Sequence, residues 1–181
     1  VGKTTVASWL QAQGWGLLSV ADLADSHGCL DEVDPKDGAA PIDIQALDEA
    51  WEPPRLGRWV VDGHLSHFLN VDAIVVLRCS PSVLSQRLTQ RGYGEAKVRA
   101  NVEWEMTAGH WAELEEFEVD VPLLELDAGA HETETLGHRT EAWVEEGMPS
   151  DALAAHVPRA IEWLGSSNIP APRPPQTITP P

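Results

Sequence analysis

Lys3 stands in the run Val1-Gly2-Lys3-Thr4-Thr5, which matches the back half of the phosphate-binding pattern G-x-x-x-x-G-K-[ST]. Each residue type suits an anion. Gly2 carries no Cβ to keep a phosphate from the backbone, and the N–H groups that follow form a concave nest at a helix start. Lys3 places a cation where β- and γ-phosphates lie, the Thr4 hydroxyl suits Mg²⁺, and Thr5 offers a second hydroxyl to an inner phosphate. The pattern's first Gly, three of its variable residues and the strand that feeds such a loop are not in the chain. We therefore expect an N-terminally truncated fragment. Alone, a Gly-Lys-Thr triplet also fits an ordinary turn.

Asp62 closes the apolar run Trp59-Val60-Val61 and is followed by Gly63-His64-Leu65-Ser66-His67. A carboxylate at the end of a buried strand can hold Mg²⁺ or its waters beside a phosphate loop, although an Asp there also forms simple turns. His64-x-x-His67 has metal-like spacing but no partner cluster in the sequence, which argues against zinc. Arg78, Arg87, Arg91, Lys97 and Arg99, five of the twelve cations, fall within one stretch of an acidic chain. They read either as a phosphate clamp or as a solvated helix face with i,i+4 pairs to Glu.

These residues need elements to position them. Four apolar runs read as strands: Gly16 to Val20, Trp59 to Asp62, Ala73 to Arg78 and Leu123 to Leu126. The middle two are β-branched and do not alternate, as in parallel strands covered on both faces. Helices are predicted over 4–12, 43–51, 80–90 (Ser80 as N-cap, Pro81 first in the helix) and 95–118, and over 133–146. A segment at 150–164 is a further candidate that Pro158 would kink or split. This order predicts an α/β three-layer fold, a parallel sheet with helices on both faces and its first, central strand missing. Residues 22–58 read mostly as loop with one short helix. Residues 165–181 are rich in Pro, Ser and Thr and read as a disordered tail, leaving one domain over 1–164.

With 181 residues and 43% hydrophobic content the chain can build a core. No apolar run reaches membrane-spanning length. Cys29 and Cys79 are too far apart in sequence for a ligand pair, which suits a cytoplasmic protein. The net charge of −17 argues against an extensive nucleic-acid surface. It fits a salt-adapted proteome or an ordinary acidic cytosolic protein.

Val1 to Thr5, Val61 to His67, Val76 to Cys79, Arg87-Leu88 and Arg91 to Glu103 occur in the order and approximate spacing of one family. Over residues 1 to about 105 the chain resembles an archaeal member of the atypical adenylate kinases, P-loop NTPases of the nucleoside monophosphate kinase type. The eukaryotic nuclear adenylate kinase linked to ribosome biogenesis belongs to that group. The resemblance implies that Gly2, Lys3, Thr4 and Thr5 bind ATP and that Asp62 and His64 support turnover. It implies a short lid at about 90–100 with Arg91 on ATP, and a monophosphate-binding segment at about 20–43. It implies Mg²⁺-dependent transfer from ATP to AMP, ATP hydrolysis, and contact with a small-subunit ribosomal protein in rRNA maturation.

Lys3 and Arg91 are then expected to flank the moving phosphoryl group, with Arg78 and Arg87 as helpers, and Thr4 and Asp62 to position the metal. The chain departs from its relatives in two ways. Asp25 stands where some place an arginine. A lysine used near the adenine has no counterpart, with Gly129, Ala130 or Met148 near the expected place. Two other readings are an ATPase that acts mainly as a ribosome assembly factor, with the helix around Trp104 and Trp111 as its contact surface, and another small-molecule P-loop kinase.

Overall fold

The computed structural model describes residues 2–31 and 40–163. Val1, part of the expected monophosphate segment (32–39), the end of the candidate 150–164 helix and the expected tail (165–181) lie outside the described residues. The chain alternates helix and strand. Helix α1 (Lys3–Ala12) leads to β1 (Gly16–Ser19), α2 (Val20–His27), α3 (Ile44–Ala50) and β2 (Trp59–Asp62). A 3-10 turn (Ser66–Phe68), β3 (Ile74–Arg78), α4 (Pro81–Gln90), α5 (Glu95–Met106) and α6 (Gly109–Glu116) follow. β4 (Leu123–Asp127), α7 (Thr133–Glu145) and the short α8 (Leu153–His156) complete the order.

The strands form two parallel pairs. β1 pairs β2 with Ser19 opposite Asp62, and β3 pairs β4 with Arg78 opposite Asp127. Strand residues alternate between two helical layers, as the pleat requires. Val60, Val75, Leu77 and Leu124 pack with Val6, Leu10 and Leu136 of α1 and α7. On the opposite face, Leu18 and Val61 meet α2 and α3, while Ile74 and Val76 meet Trp111 and Leu114 of α6. This is the three-layer α/β arrangement of a P-loop NTPase. β2 and β3 face each other across a cleft of about 340 Å³ lined by Val60, Val61, Val75 and Leu77 with Val6 and Leu10. The two strand pairs are not hydrogen-bonded to each other.

Two expectations about elements need correction, and one about Pro158 holds. The region after β1 holds a helix besides the expected short one: Ser19 caps α2 by accepting from the Asp22 amide at 3.3 Å, and Gly28, at φ 70°, ends it. The expected 95–118 helix is two helices. Ala108 adopts φ 53° between them, so α6 turns back toward β3 and β4 and buries Trp111 (2% exposed) and Leu114. Pro158 does split the segment after Ser150, with α8 giving way to a 3-10 turn at Val157–Arg159.

Candidate functional site

The first turn of α1 is built to face an anion. Gly2 holds φ 91°, left-handed backbone that favours glycine, and its carbonyl accepts from the Val6 amide at 2.9 Å. No side chain caps this helix start and its first turn carries no carboxylate, so its N–H groups remain available to a ligand. Thr4 and Thr5 are exposed on that turn.

Two clefts open on either side of it. The first holds Lys3 with Asp62 and Gly63 at the mouth of the gap between β2 and β3. Gly63 permits this close packing, because a Cβ there would lie 2.4 Å from Val20 Cγ2 of α2. Lys3 is exposed as a residue, yet packing around its ammonium pushes its pKa below the ordinary lysine value, while the Asp62 carboxylate pulls it back up. A desolvated ammonium beside one carboxylate is a site to which a phosphate adds favourably.

The second cleft, about 350 Å³, brings Gly2 and Thr5 together with Arg87, Arg91 and the loop Ala128 to Thr133. Arg87 Nη1 donates to the Ala128 carbonyl at 2.8 Å, so one arm of that cation is committed to the loop. The Asp127 carboxylate shapes the same loop by accepting from the Gly129 and Ala130 amides at 2.7 and 3.1 Å. Arg91 caps α4 and is exposed. Among the described residues its guanidinium has no hydrogen-bond or ion-pair partner. Gly92, at φ 79°, then turns the chain into α5. The expected lid is thus a tight turn between two helices, with Lys97 Nζ 4.8 Å from the Tyr93 ring centre.

Behind Asp62 lies a histidine-rich wall. Burial pushes the pKa of His64 down, the Lys3 charge pushes it further, and Glu113 pulls it up. Burial also lowers His67, against a backbone hydrogen bond with His64 that raises it. His110 on α6 is pushed down to about 3 by burial and by the Arg78 charge. All three imidazoles are therefore neutral at pH 7. Among the described residues no three His, Cys, Asp or Glu side chains converge as a metal set.

Of the expected site residues, Lys3 and Asp62 share one cleft, and Gly2, Thr5 and Arg91 share the other. Arg78 belongs to neither. It is fully buried, donating to Glu105 and Glu125 at 2.7 Å each and to the Ile161 carbonyl at 2.8 Å. Its role as a phosphate helper is corrected to a structural one: a cation with two buried carboxylates around it cannot turn to a ligand. The sequence reading missed Glu113 and His110, whose approach depends on the turn at Ala108. The Asp127-Ala128-Gly129 run at a strand end was the available signal for the second cleft.

A family model described as an AAA domain matches residues 1–108. A protein of Archaeoglobus fulgidus is 34% identical over 163 residues, covering 90% of this chain and 86% of the relative. One from Thermococcus kodakarensis is 38% identical over 151 residues, covering 81% and 77%. A third, from Methanocaldococcus jannaschii, is 31% identical over 168 residues, covering 90% and 87%. Each bears the name "Putative adenylate kinase". The chain belongs to this family of atypical adenylate kinases. The matched segment 1–108 spans α1 through α5 and so includes Lys3, Asp62, His64 and Arg91. The similarity to the Archaeoglobus adenylate kinase relative extends over most of the remaining chain as well.

Proposed function

We propose that the chain catalyses Mg²⁺-dependent, reversible phosphoryl transfer from ATP to AMP. The observation that carries this reading is the uncapped, carboxylate-free start of α1 between Lys3 and Arg91, with Asp62 beside Lys3. A triphosphate laid along that helix start would meet N–H groups, an ammonium and a guanidinium. Family membership supports the acceptor, since the relatives are named as adenylate kinases.

The donor set fits ATP and Mg²⁺. Magnesium is usually held by one or two carboxylates together with substrate phosphates and water, and the Thr4 hydroxyl and Asp62 would supply the protein's share. When bound, the ion would neutralise charge on the phosphates. The protein's own work is alignment and charge. Gly2, Lys3, Thr4 and Thr5 hold the triphosphate, and Arg91 approaches from the lid turn. Neutral His64 accepts or donates a hydrogen bond beside the reacting group without adding charge. Closure of the 90–100 turn over the site excludes water.

One observation favours a second reading, an ATPase that acts as a switch in small-subunit ribosome maturation through a ribosomal protein partner. The described part of the monophosphate segment carries Asp22, Asp25, Asp31 and Asp43 and no Lys or Arg, a poor surface for a monophosphate. A coupled assay separates the two. ADP formation that depends on AMP and exceeds AMP-independent phosphate release supports the kinase. Equal rates with and without AMP overturn it in favour of hydrolysis.

A further inference from the structure

The wall behind Asp62 contains a carboxylate that the proposed mechanism does not use. Glu113 projects from α6 to within 3.2 Å of His67 Nε2, with its side chain 28% exposed and that of His67 12%. The approach is off line: His67 Nε2 is buried and makes no aligned hydrogen bond. With His67 neutral, the contact is a close polar approach of a carboxylate to an imidazole, neither an ion pair nor an aligned hydrogen bond. A second contact joins the same two elements. The Phe68 ring meets Phe117, just past α6, edge-on at 4.7 Å, and the His67 ring lies 4.0 Å from Phe68.

These contacts matter because of where the turn begins. His64 and His67 bracket the four residues that follow Asp62-Gly63, a turn closed by the Ser66 amide and hydroxyl donating to the Gly63 carbonyl. The field of Glu113 also reaches His64 directly, opposing that of Lys3. α6 is itself fixed from behind, since Trp111 Nε1 donates to Glu125 at 3.1 Å and so joins the buried Arg78 network. A carboxylate on α6 thus faces the irregular segment that follows Asp62 and carries His64. Outer partners of this kind orient the groups that touch a ligand.

We propose that Glu113 is a positioning residue for phosphoryl transfer, holding the 64–67 turn that follows Asp62 through its close approach to His67. The proposal rests on the kinase reading for its rate effect and on geometry alone for its effect on His67.

The test uses Glu113→Gln, which keeps the shape and removes the charge, with Glu113→Asp as the conservative variant. We expect Glu113→Gln to lower kcat for ADP formation about tenfold, with KM for ATP and the thermal midpoint unchanged. Glu113→Asp should recover part of the rate. In parallel, imidazole ¹⁵N resonances are recorded for the full chain and for Glu113→Gln, and those of His67 should move. Unchanged His67 resonances, or a kcat within twofold of the parent, overturn the proposal. A fall in kcat that merely tracks a fall in thermal midpoint also overturns it. If the parent forms no ADP from ATP and AMP, the kinase reading fails, and the His67 resonances alone decide whether Glu113 positions the turn.

Discussion

Arg91 and Arg78 are the same residue type with opposite fates, and exposure decides which. The Arg91 guanidinium has no partner among the described residues and lines a cleft with Gly2 and Thr5. Arg91→Ala should lower kcat/KM for phosphotransfer by about 10³-fold, the scale of a lost arginine in phosphoryl transfer, while urea unfolding is unchanged. Parallel losses of activity and stability would refute this. Arg78→Met should do the reverse. It leaves Glu105 and Glu125 without their cation, at a cost of about 3–5 kcal/mol in a buried network, read as a lowered urea midpoint. His110 sets a pH dependence of known sign. Its ordinary pKa is 6.5 and its folded value about 3. Above pH 6.5 both states are neutral there. Between 6.5 and 3 only the unfolded chain takes the proton, so stability falls on acidification by at most about 1.4 kcal/mol per pH unit. The downward shifts of His64 and His67 act in the same direction. Urea titrations between pH 7 and 4 should give a shallower slope for His110→Phe than for the parent, and equal slopes would rule His110 out.

At the scale of elements, the strands were the most legible, because Trp59-Val60-Val61-Asp62 and Ile74 to Arg78 combine β-branching with apolar faces on both sides. α2 was not, since Ala21-Asp22-Leu23-Ala24-Asp25 is short and acidic and its stability comes from packing Val20, Leu23 and Ala24 against Leu47 and Trp51. The break between α5 and α6 did have a signal, which the expected 95–118 helix ran through: Gly109 follows Ala108, a Cβ there would clash with the Trp104 ring, and burial of Trp111 fixes the direction that α6 takes. Glu113 was invisible at the site, because only that break aims α6 at His67. The packing of α1 on α7 offers a test where two principles oppose. Gly137 lies mid-helix in α7, where alanine is favoured by about 1 kcal/mol. A Cβ there, however, would stand 2.0 Å from Trp9 Cε3, and Gly137 is buried. Overpacking costs about 1–3 kcal/mol and should win, since His138 also braces Trp9 edge-on at 4.7 Å. Gly137→Ala is therefore expected to lower the urea midpoint. A raised midpoint would show that the Trp9 ring swings clear.

For the molecule as a whole, the defining feature is a sheet in two halves. The order of the strands and their parallel pairing could be anticipated from the helix–strand alternation. What the sequence could not show is how the halves stay in register. They are joined by α1, whose Val6 and Leu10 pack against Val60 of one half and Val75 and Leu77 of the other. The facing edges of β2 and β3 are not hydrogen-bonded to each other, and the walls of the cleft between them are largely apolar. Unpaired strand edges have backbone groups open to water, and helices alone resist their opening. Two consequences can be measured together on this chain. Amides of β2 and β3 that point into the cleft should exchange with solvent faster than those shared within the β1–β2 and β3–β4 ladders. An apolar dye such as ANS should bind the native chain, because aliphatic walls from Val61, Ile74 and Val75 meet the cleft. Replacing Val75 by Thr makes that wall more polar and should weaken dye binding, while the exchange contrast persists because backbone pairing is unchanged. Uniform protection across all four strands, with no dye bound, would mean that the two halves close on each other in solution.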